Sequence, residues 1–424
     1  MPKRLRPCKI ELMEERDHKK LGKELGLFTI DETVGKGLPM LLPKGATIRR
    51  ELERFIVDEE LRRGYEHVYT PDIARLELYK KSGHYPYYKE DMYAPIVIDD
   101  DEFMLRPMTC PHHFQMYLSK PHSYRELPIR IAELGKLYRY EQSGELMGIQ
   151  RTRTFCLSDA HIICASEEQA VEEMGKALDL IEYANGVLGL RMGEDYRYRL
   201  SLGDRKNTEK YYKDDNGWEK AEKLLRELMK KRGVEFEEAK NEAAFYGPKI
   251  DIQMKNANGK EDTAFTVQYD LCMPERFNLT YIGEDSKEHR AFVVHRSSIG
   301  AMERIMAFLI EKYAGAFPLW LSPVQVKVLP IGEGHIEYAK SVFEKLKSEN
   351  IRVELDDSNE SLGKKIRNAK TEKIPYMLVI GDKEVSENKV TLESRDDDPP
   401  AGGLGQIGVE ELISKLNTEI KDRK

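Results

Sequence analysis

Arg130-Ile131-Ala132-Glu133-Leu134-Gly135-Lys136-Leu137-Tyr138-Arg139-Tyr140-Glu141 is an apolar, strand-forming run punctuated by charge. A second such run, Arg151-Thr152-Arg153-Thr154-Phe155-Cys156-Leu157-Ser158-Asp159-Ala160-His161-Ile162-Ile163-Cys164, follows a polar loop, Gln142-Ser143-Gly144-Glu145-Leu146-Met147-Gly148. That order predicts an antiparallel hairpin. Side chains two apart on a strand share a face, so Arg139 points with Glu141, and Arg151, Arg153, Asp159 and His161 point together. Burying so many unpaired charges in a core is costly. The face is therefore either solvated or the floor of a site for a zwitterionic or phosphate-bearing ligand. The length and apolar remainder of both strands favour the second reading for the set, although not for any one residue.

Outward from the hairpin the same grammar continues. Strands are predicted over Tyr65 to Pro71 and Phe103 to Met108, and over Ile250 to Met254, Ala264 to Gln268, Phe277 to Tyr281 and Ala291 to His295, the last four in an antiparallel pattern rather than a βαβ one. Helices are expected from 8 to 28, 46 to 64, 111 to 119, 167 to 187, 218 to 232 and 300 to 313. Pro111 sits where a helix welcomes proline. After the linker Pro318 to Pro323 the grammar changes to strand, helix, strand, helix, strand between Val324 and Ile380, which marks a separate small α/β domain. The expected organisation is a linker helix in 1–32, an α+β antiparallel-sheet domain in 33–321 and an α/β domain in 322–424. Asp396-Asp397-Asp398-Pro399-Pro400 reads as a loop.

With 424 residues, 40% hydrophobic and 34% charged, the chain is long enough for two or three cores. Its net charge of −7 does not advertise nucleic-acid binding, although a local basic patch could still serve. Five cysteines form no secreted framework, so a reducing compartment is expected. No run approaches the roughly 20 apolar residues of a membrane span, and the basic start is followed at once by acidic residues, so the expected location is cytoplasmic.

Cys110, His161 and His295 stand out as polar residues in otherwise apolar segments. One thiolate and two imidazoles suit zinc, and three protein ligands leave a position open for substrate. Taken singly, His295 reads as a core histidine and Cys110 as a small buried hydrophobe. His112, His113 and His122 compete for the metal. Helical geometry turns His112 and His113 away from the helix start where Cys110 lies. Gly300 and Arg304 open the helix after His295, where an anion is favoured.

Together these stretches resemble the class II aminoacyl-tRNA synthetases, and closely their threonyl members, over essentially the whole chain. Leu38-Pro39 to Ile73 is similar to motif 1, Leu137 to Phe155 to motif 2, and Val294-His295-Arg296 with Gly300 to Arg304 to motif 3. Arg106-Pro107-Met108-Thr109-Cys110-Pro111, Ser158-Asp159-Ala160-His161 and Phe245-Tyr246-Gly247-Pro248-Lys249 resemble threonyl-specific segments. The resemblance implies ATP-dependent activation of L-threonine and its transfer to the 3′ end of threonine tRNA by a homodimer. Cys110, His161 and His295 would hold one catalytic Zn²⁺. Met108, Asp159, Tyr246 and Gln268 would line the threonine pocket. Arg139, Glu141, Arg151 and Arg304 would bind ATP with Mg²⁺, Arg139 and Arg304 acting catalytically, and His84 would relay a proton during transfer.

The resemblance also sets departures. The chain opens near the linker that precedes the catalytic core in longer relatives, so no editing domain for seryl-tRNA is expected, and a separate editing partner could serve. The α/β domain resembles an anticodon-binding module. Glu384 matches an anticodon-contacting glutamate, while Glu393 stands where many relatives place arginine. Lys364, Lys365, Arg367, Lys370 and Lys373 are expected on one helix, where they could track tRNA phosphates or form a solvated face. From Ser322 onward the module carries 17 Lys and Arg against 20 Asp and Glu. That acidity motivates the alternative of a synthetase-like paralogue that activates or binds an amino acid without charging tRNA. A zinc hydrolase would leave the arginines unexplained.

Overall fold

The computed structural model describes residues 16–396 and 405–424. The first part of the expected helix 8–28 and most of the loop 396–400 lie outside the described residues. Two compact units emerge. One combines Ile30–Pro39 with Glu53–Phe308, and the other combines the described residues up to Thr29 with Met40–Leu52 and Leu309–Lys424. Among the described residues no helix is long and apolar enough to cross a membrane.

The first unit is built on one sheet of eight strands. These are β1 (Glu66–His67), β2 (Ile129–Tyr138), β3 (Thr154–Cys164), β4 (Tyr196–Leu202), β5 (Phe236–Lys240), β6 (Lys249–Lys255), β7 (Glu261–Asp270) and β8 (Phe292–Ala301). Their order is β5-β4-β6-β7-β8-β3-β2-β1. The expected hairpin is there, with Ile129 opposite Ile163 and Tyr138 opposite Thr154. Only the outer pairs, β5 with β4 and β1 with β2, run parallel. Ile162, Ile163, Val293, Val294 and Val267 are fully buried, which fixes β3, β8 and β7 as central strands. Helix Glu167–Val187 packs Met174, Leu178 and Ile181 into the core, and Ser166 caps its start by accepting from Gln169 N.

Several expectations need correction. The hairpin ladder ends at Tyr138 and Thr154, so Arg139, Glu141, Arg151 and Arg153 lie beyond it and strand alternation does not orient them. Loop bonds do so instead, such as Arg139 N to Arg153 O and Arg153 N to Gly37 O. Of the expected strand Phe277 to Tyr281 only Thr280 and Tyr281 are strand, in Thr280–Ile282, which pairs antiparallel with Glu288–Arg290. Asp270 Oδ1 accepts from the backbone of Cys272 and Met273, Pro274 favours a helix start, and helix Met273–Phe277 ends at Asn278 in the left-handed region. Within the described part of the expected helix 8–28, helix covers His18–Glu24, and Phe28 already belongs to a short strand, Phe28–Thr29. The parallel pair β4 and β5 was not foreseen.

The second unit carries a five-stranded sheet in the order Val353–Leu355, Val326–Pro330, Tyr376–Ile380, Lys389–Ser394, Gly405–Gly408. The first three are mutually parallel and the last two antiparallel, as a βαβαβ start predicts. Helices Ile336–Ser348 and Val409–Lys421 bury Val342, Leu346, Leu412 and Leu416 with its strands.

Candidate active site

The register of the central strands builds the floor of the site. Residues directly opposite on antiparallel strands point to the same side. Lys249, Gln268, His295, His161 and Ile131 therefore form one cross-strand row. Asp251, Thr266, Ser297, Asp159 and Glu133 form the next. Arg296 turns to the opposite face, as its place after His295 predicts. There it is buried against Glu60 Oε1 at 2.7 Å and stacks over Tyr65.

Helix Cys110–Tyr117 covers one end of that floor. It brings Cys110 to the two histidines, and ligand atoms of Cys110, His161 and His295 all lie within 4.8 Å of one another. All three are buried. His295 Nε2 meets Asp270 Oδ2 at 2.6 Å, which leaves Nδ1 for a ligand, and His161 Nδ1 meets His113 Nδ1 at 2.8 Å, which leaves Nε2. Burial pushes the His161 pKa well down, helped by the neighbouring His295, His113 and Arg296, so the ring is neutral. Burial with Asp159 and Asp270 pushes the Cys110 thiol well up. Such a thiol is a poor nucleophile by itself and ionises only beside a cation. Soft sulfur, two imidazoles and hydrogen-bonded outer partners fit zinc. A second three-residue group, Asp17, His18 and Glu311, is already satisfied in another way. His18 Nδ1 bonds Glu311 at 2.6 Å, and Asp17 caps its own helix through Lys19 N.

Beside the cluster lies a cavity of about 350 Å³ whose wall includes Met108, Arg139, Glu141, Arg151, Tyr246 and Gln268. Six residues expected from distant stretches thus share one space. Tyr246 stacks on His295 with ring centroids 4.7 Å apart and donates to Gln268 Oε1 at 2.7 Å. Gly247 permits this: a Cβ there would stand 1.7 Å from the Tyr269 carbonyl oxygen. Asp159 accepts from Thr109 Oγ1, and burial raises its pKa despite that bond. Arg139 donates to Pro107 O at 3.3 Å and lies over Phe155. Glu141 and Arg151 pair at 2.9 Å. Arg304 is half-buried, donating to Gln150 O at 3.1 Å and Thr263 O at 2.6 Å. Gly300 precedes it with φ of +66°, where a Cβ would meet Ala264 O at 2.1 Å.

Other expected residues fall differently. His84 is fully buried, with Nδ1 on Ser82 Oγ at 2.7 Å and Nε2 3.9 Å from Cys110 Sγ. Burial and nearby cationic groups lower its pKa to about 3, so the proton relay expected of it gains no support from its position. His113 does not join the metal group, but setting it aside missed its bond to His161. Asp270 was also missed, although two-residue alternation from Gln268 points to it.

In the second unit Lys365 is buried and donates to Pro330 O at 3.0 Å and Asp356 O at 2.9 Å, so it is no phosphate contact. Lys373 lies beyond the helix, which ends at Thr371. Lys364 is exposed and pairs with Glu360, and Arg367 is exposed. Glu384 is buried, its carboxylate accepting from Gly381 N, Thr391 Oγ1 and Gln406 Nε2.

Residues 93–313, more than half of the chain, match the family described as tRNA synthetase class II core domain (G, H, P, S and T). The chain belongs to the class II tRNA synthetases. In this class II chain, residues 325–419 match the anticodon binding domain. The threonine–tRNA ligase of Geobacillus kaustophilus is 52% identical over 416 residues, and that of Staphylococcus aureus 50% over 419. Each alignment covers 98% of the chain and 63% of the relative, so the chain spans under two thirds of these relatives' length. The crystal structure of the RNA binding domain of threonyl-tRNA synthetase from Cryptosporidium parvum superposes with a TM-score of 0.88. It is 38% identical, over 95% of this chain and 98% of that one.

Proposed function

We propose that this class II chain is a threonine–tRNA ligase. It activates L-threonine with ATP and transfers the threonyl group to the 3′ end of threonine tRNA. The observation that carries the reading is the adjacency of the Cys110, His161 and His295 group to a cavity walled by Arg139, Arg151, Met108, Tyr246 and Gln268.

In the first step the threonine carboxylate attacks the α-phosphorus and pyrophosphate leaves. Arg139, held by Pro107 O, opposes the charge that builds on the α-phosphate. Glu141 accepts from the adenine amino group, and Arg151 with Arg304 neutralises the outer phosphates together with Mg²⁺. Tyr246, Gln268 and Asp159 orient the amino acid so that its carboxylate faces ATP. Cys110, His161 and His295 would hold Zn²⁺, which supplies a Lewis-acidic seat for the threonine amino and hydroxyl groups. In the second step a terminal ribose hydroxyl of tRNA attacks the acyl carbon and AMP leaves. Valine offers no hydroxyl and leaves the polar seat incomplete, so it is rejected strongly, whereas serine lacks only a methyl worth about 1–3 kcal/mol.

Support for tRNA comes from an open groove of about 870 Å³ in the second unit, where Arg16, Lys20, Arg367, Lys370 and Lys373 face a single acid, Glu24. We read it as a phosphate track. The internal bonding of Glu384, with Glu393 in place of the expected arginine, favours a second reading, activation without charging. Labelled threonine decides between them. Charging of threonine tRNA together with ATP–pyrophosphate exchange supports the ligase. Exchange without charging supports the second reading, and neither activity defeats both.

A further inference from the structure

His161 reaches a carboxylate only through another histidine, and that detour determines which nitrogen carries its proton. Glu133 lies on β2 directly opposite Asp159 and is buried. Its Oε1 accepts from Thr70 N and Arg106 Nη1, each at 3.1 Å. Its Oε2 accepts from Thr70 Oγ1 at 2.7 Å and meets His113 Nε2 at 3.3 Å. Burial opposes the charge, but His113, Thr70 and Arg106 outweigh it and bring the pKa down to about 2. An ionised carboxylate accepts only, so His113 Nε2 carries a hydrogen. In a neutral ring Nδ1 is then an acceptor. It faces His161 Nδ1 at 2.8 Å, so His161 must carry its hydrogen on Nδ1 and keep the Nε2 lone pair for a ligand. The reverse tautomer would put a hydrogen on Nε2 and block it.

We propose that Glu133 and His113 form a positioning relay that fixes the His161 tautomer and thereby sets zinc affinity. This rests on the zinc reading above. The sequence arranges the relay economically, because Cys110 and His113 are one turn apart on a single helix. His295 needs no intermediary, since Asp270 touches it directly.

The test compares the full chain with His113→Asn, His113→Leu and Cys110→Ser. Asparagine places an acceptor oxygen where Nδ1 stands, and leucine fills the space without one. Zinc affinity is read by chelator competition, the ligand field by the absorption of bound Co²⁺, and folding of the metal-free proteins by thermal melting. With melting unchanged, His113→Leu should bind zinc about 10–100-fold more weakly and alter the Co²⁺ bands, while His113→Asn stays within roughly threefold of the parent. Equal affinity in parent and His113→Leu overturns the relay, as does equal weakening in both His113 variants. A parent that binds no zinc, or a Cys110→Ser variant that binds it as well as the parent, overturns the metal reading and the relay with it.

Discussion

Single residues decide this site through what holds them. Two imidazoles are aimed by two carboxylates, Asp270 directly and Glu133 through His113. The meeting of Cys110, His161 and His295 was legible in the sequence because polar residues in apolar stretches need a reason. His113 was not, because its partner is 48 residues away and only packing of its helix on β3 brings them together. Arg139 was legible by type but not by direction, since the ladder stops one residue before it. Replacing Arg139 with alanine should lower kcat for threonine-dependent ATP–pyrophosphate exchange by about 10²–10³-fold, with the threonine KM little changed, because its charge acts on the transition state. Steady-state exchange kinetics check this, and a rise in KM alone would count against the assigned role. Lys365→Ala should cost about 1–3 kcal/mol of stability by orphaning the buried Pro330 carbonyl and the partly buried Asp356 carbonyl, measured by denaturant unfolding.

Elements transmit these constraints. Helix Pro43–Arg62 ends by delivering Glu60 beneath the sheet, where Arg296, Ser298 and His67 all contact it. The helix itself was readable from its apolar spacing, with Ile48, Leu52, Phe55 and Ile56 buried. The buried pair was not, because nothing local joins residue 60 to residue 296. Glu60→Ala leaves Arg296 buried and unpaired, so the expected cost is about 3–5 kcal/mol, seen as a lower unfolding midpoint. Burial works against the Glu60 charge, but Arg296 and its other partners hold its pKa below the ordinary 4.5. A depressed carboxylate contributes stability that is complete above its unfolded pKa and is lost as pH falls through its folded one. Unfolding midpoints of the parent should therefore drop below about pH 4.5, and Glu60→Gln should flatten that acid limb. An acid limb of unchanged slope in the variant would exclude Glu60 as its source. The start of the expected strand Phe277 to Tyr281 shows the opposite failure, where side-chain capping by Asp270 favoured a helix through Phe277 and the strand begins only at Thr280.

At the scale of the whole molecule, the change from antiparallel strands to a βαβαβ order marked two architectures, and the central strands of the first sheet and the first three of the second have the predicted sense. The basic groove was not legible, because Arg16 and Lys20 are more than 300 residues from Arg367 and the net charge of −7 hides it. If it tracks phosphates, Lys20→Ala and Arg367→Ala should each weaken tRNA binding and reduce the slope of log affinity against log salt by about 1. Binding titrations at several salt concentrations read that slope, and an unchanged slope places the RNA elsewhere. The central claim is that the Cys110, His161 and His295 group recognises threonine only with zinc in place. The direct measurement is threonine-dependent ATP–pyrophosphate exchange by the same preparation as isolated, after zinc is stripped, and after one equivalent is restored. The account predicts loss on stripping and recovery on restoration. Undiminished exchange by the stripped, folded protein would contradict it.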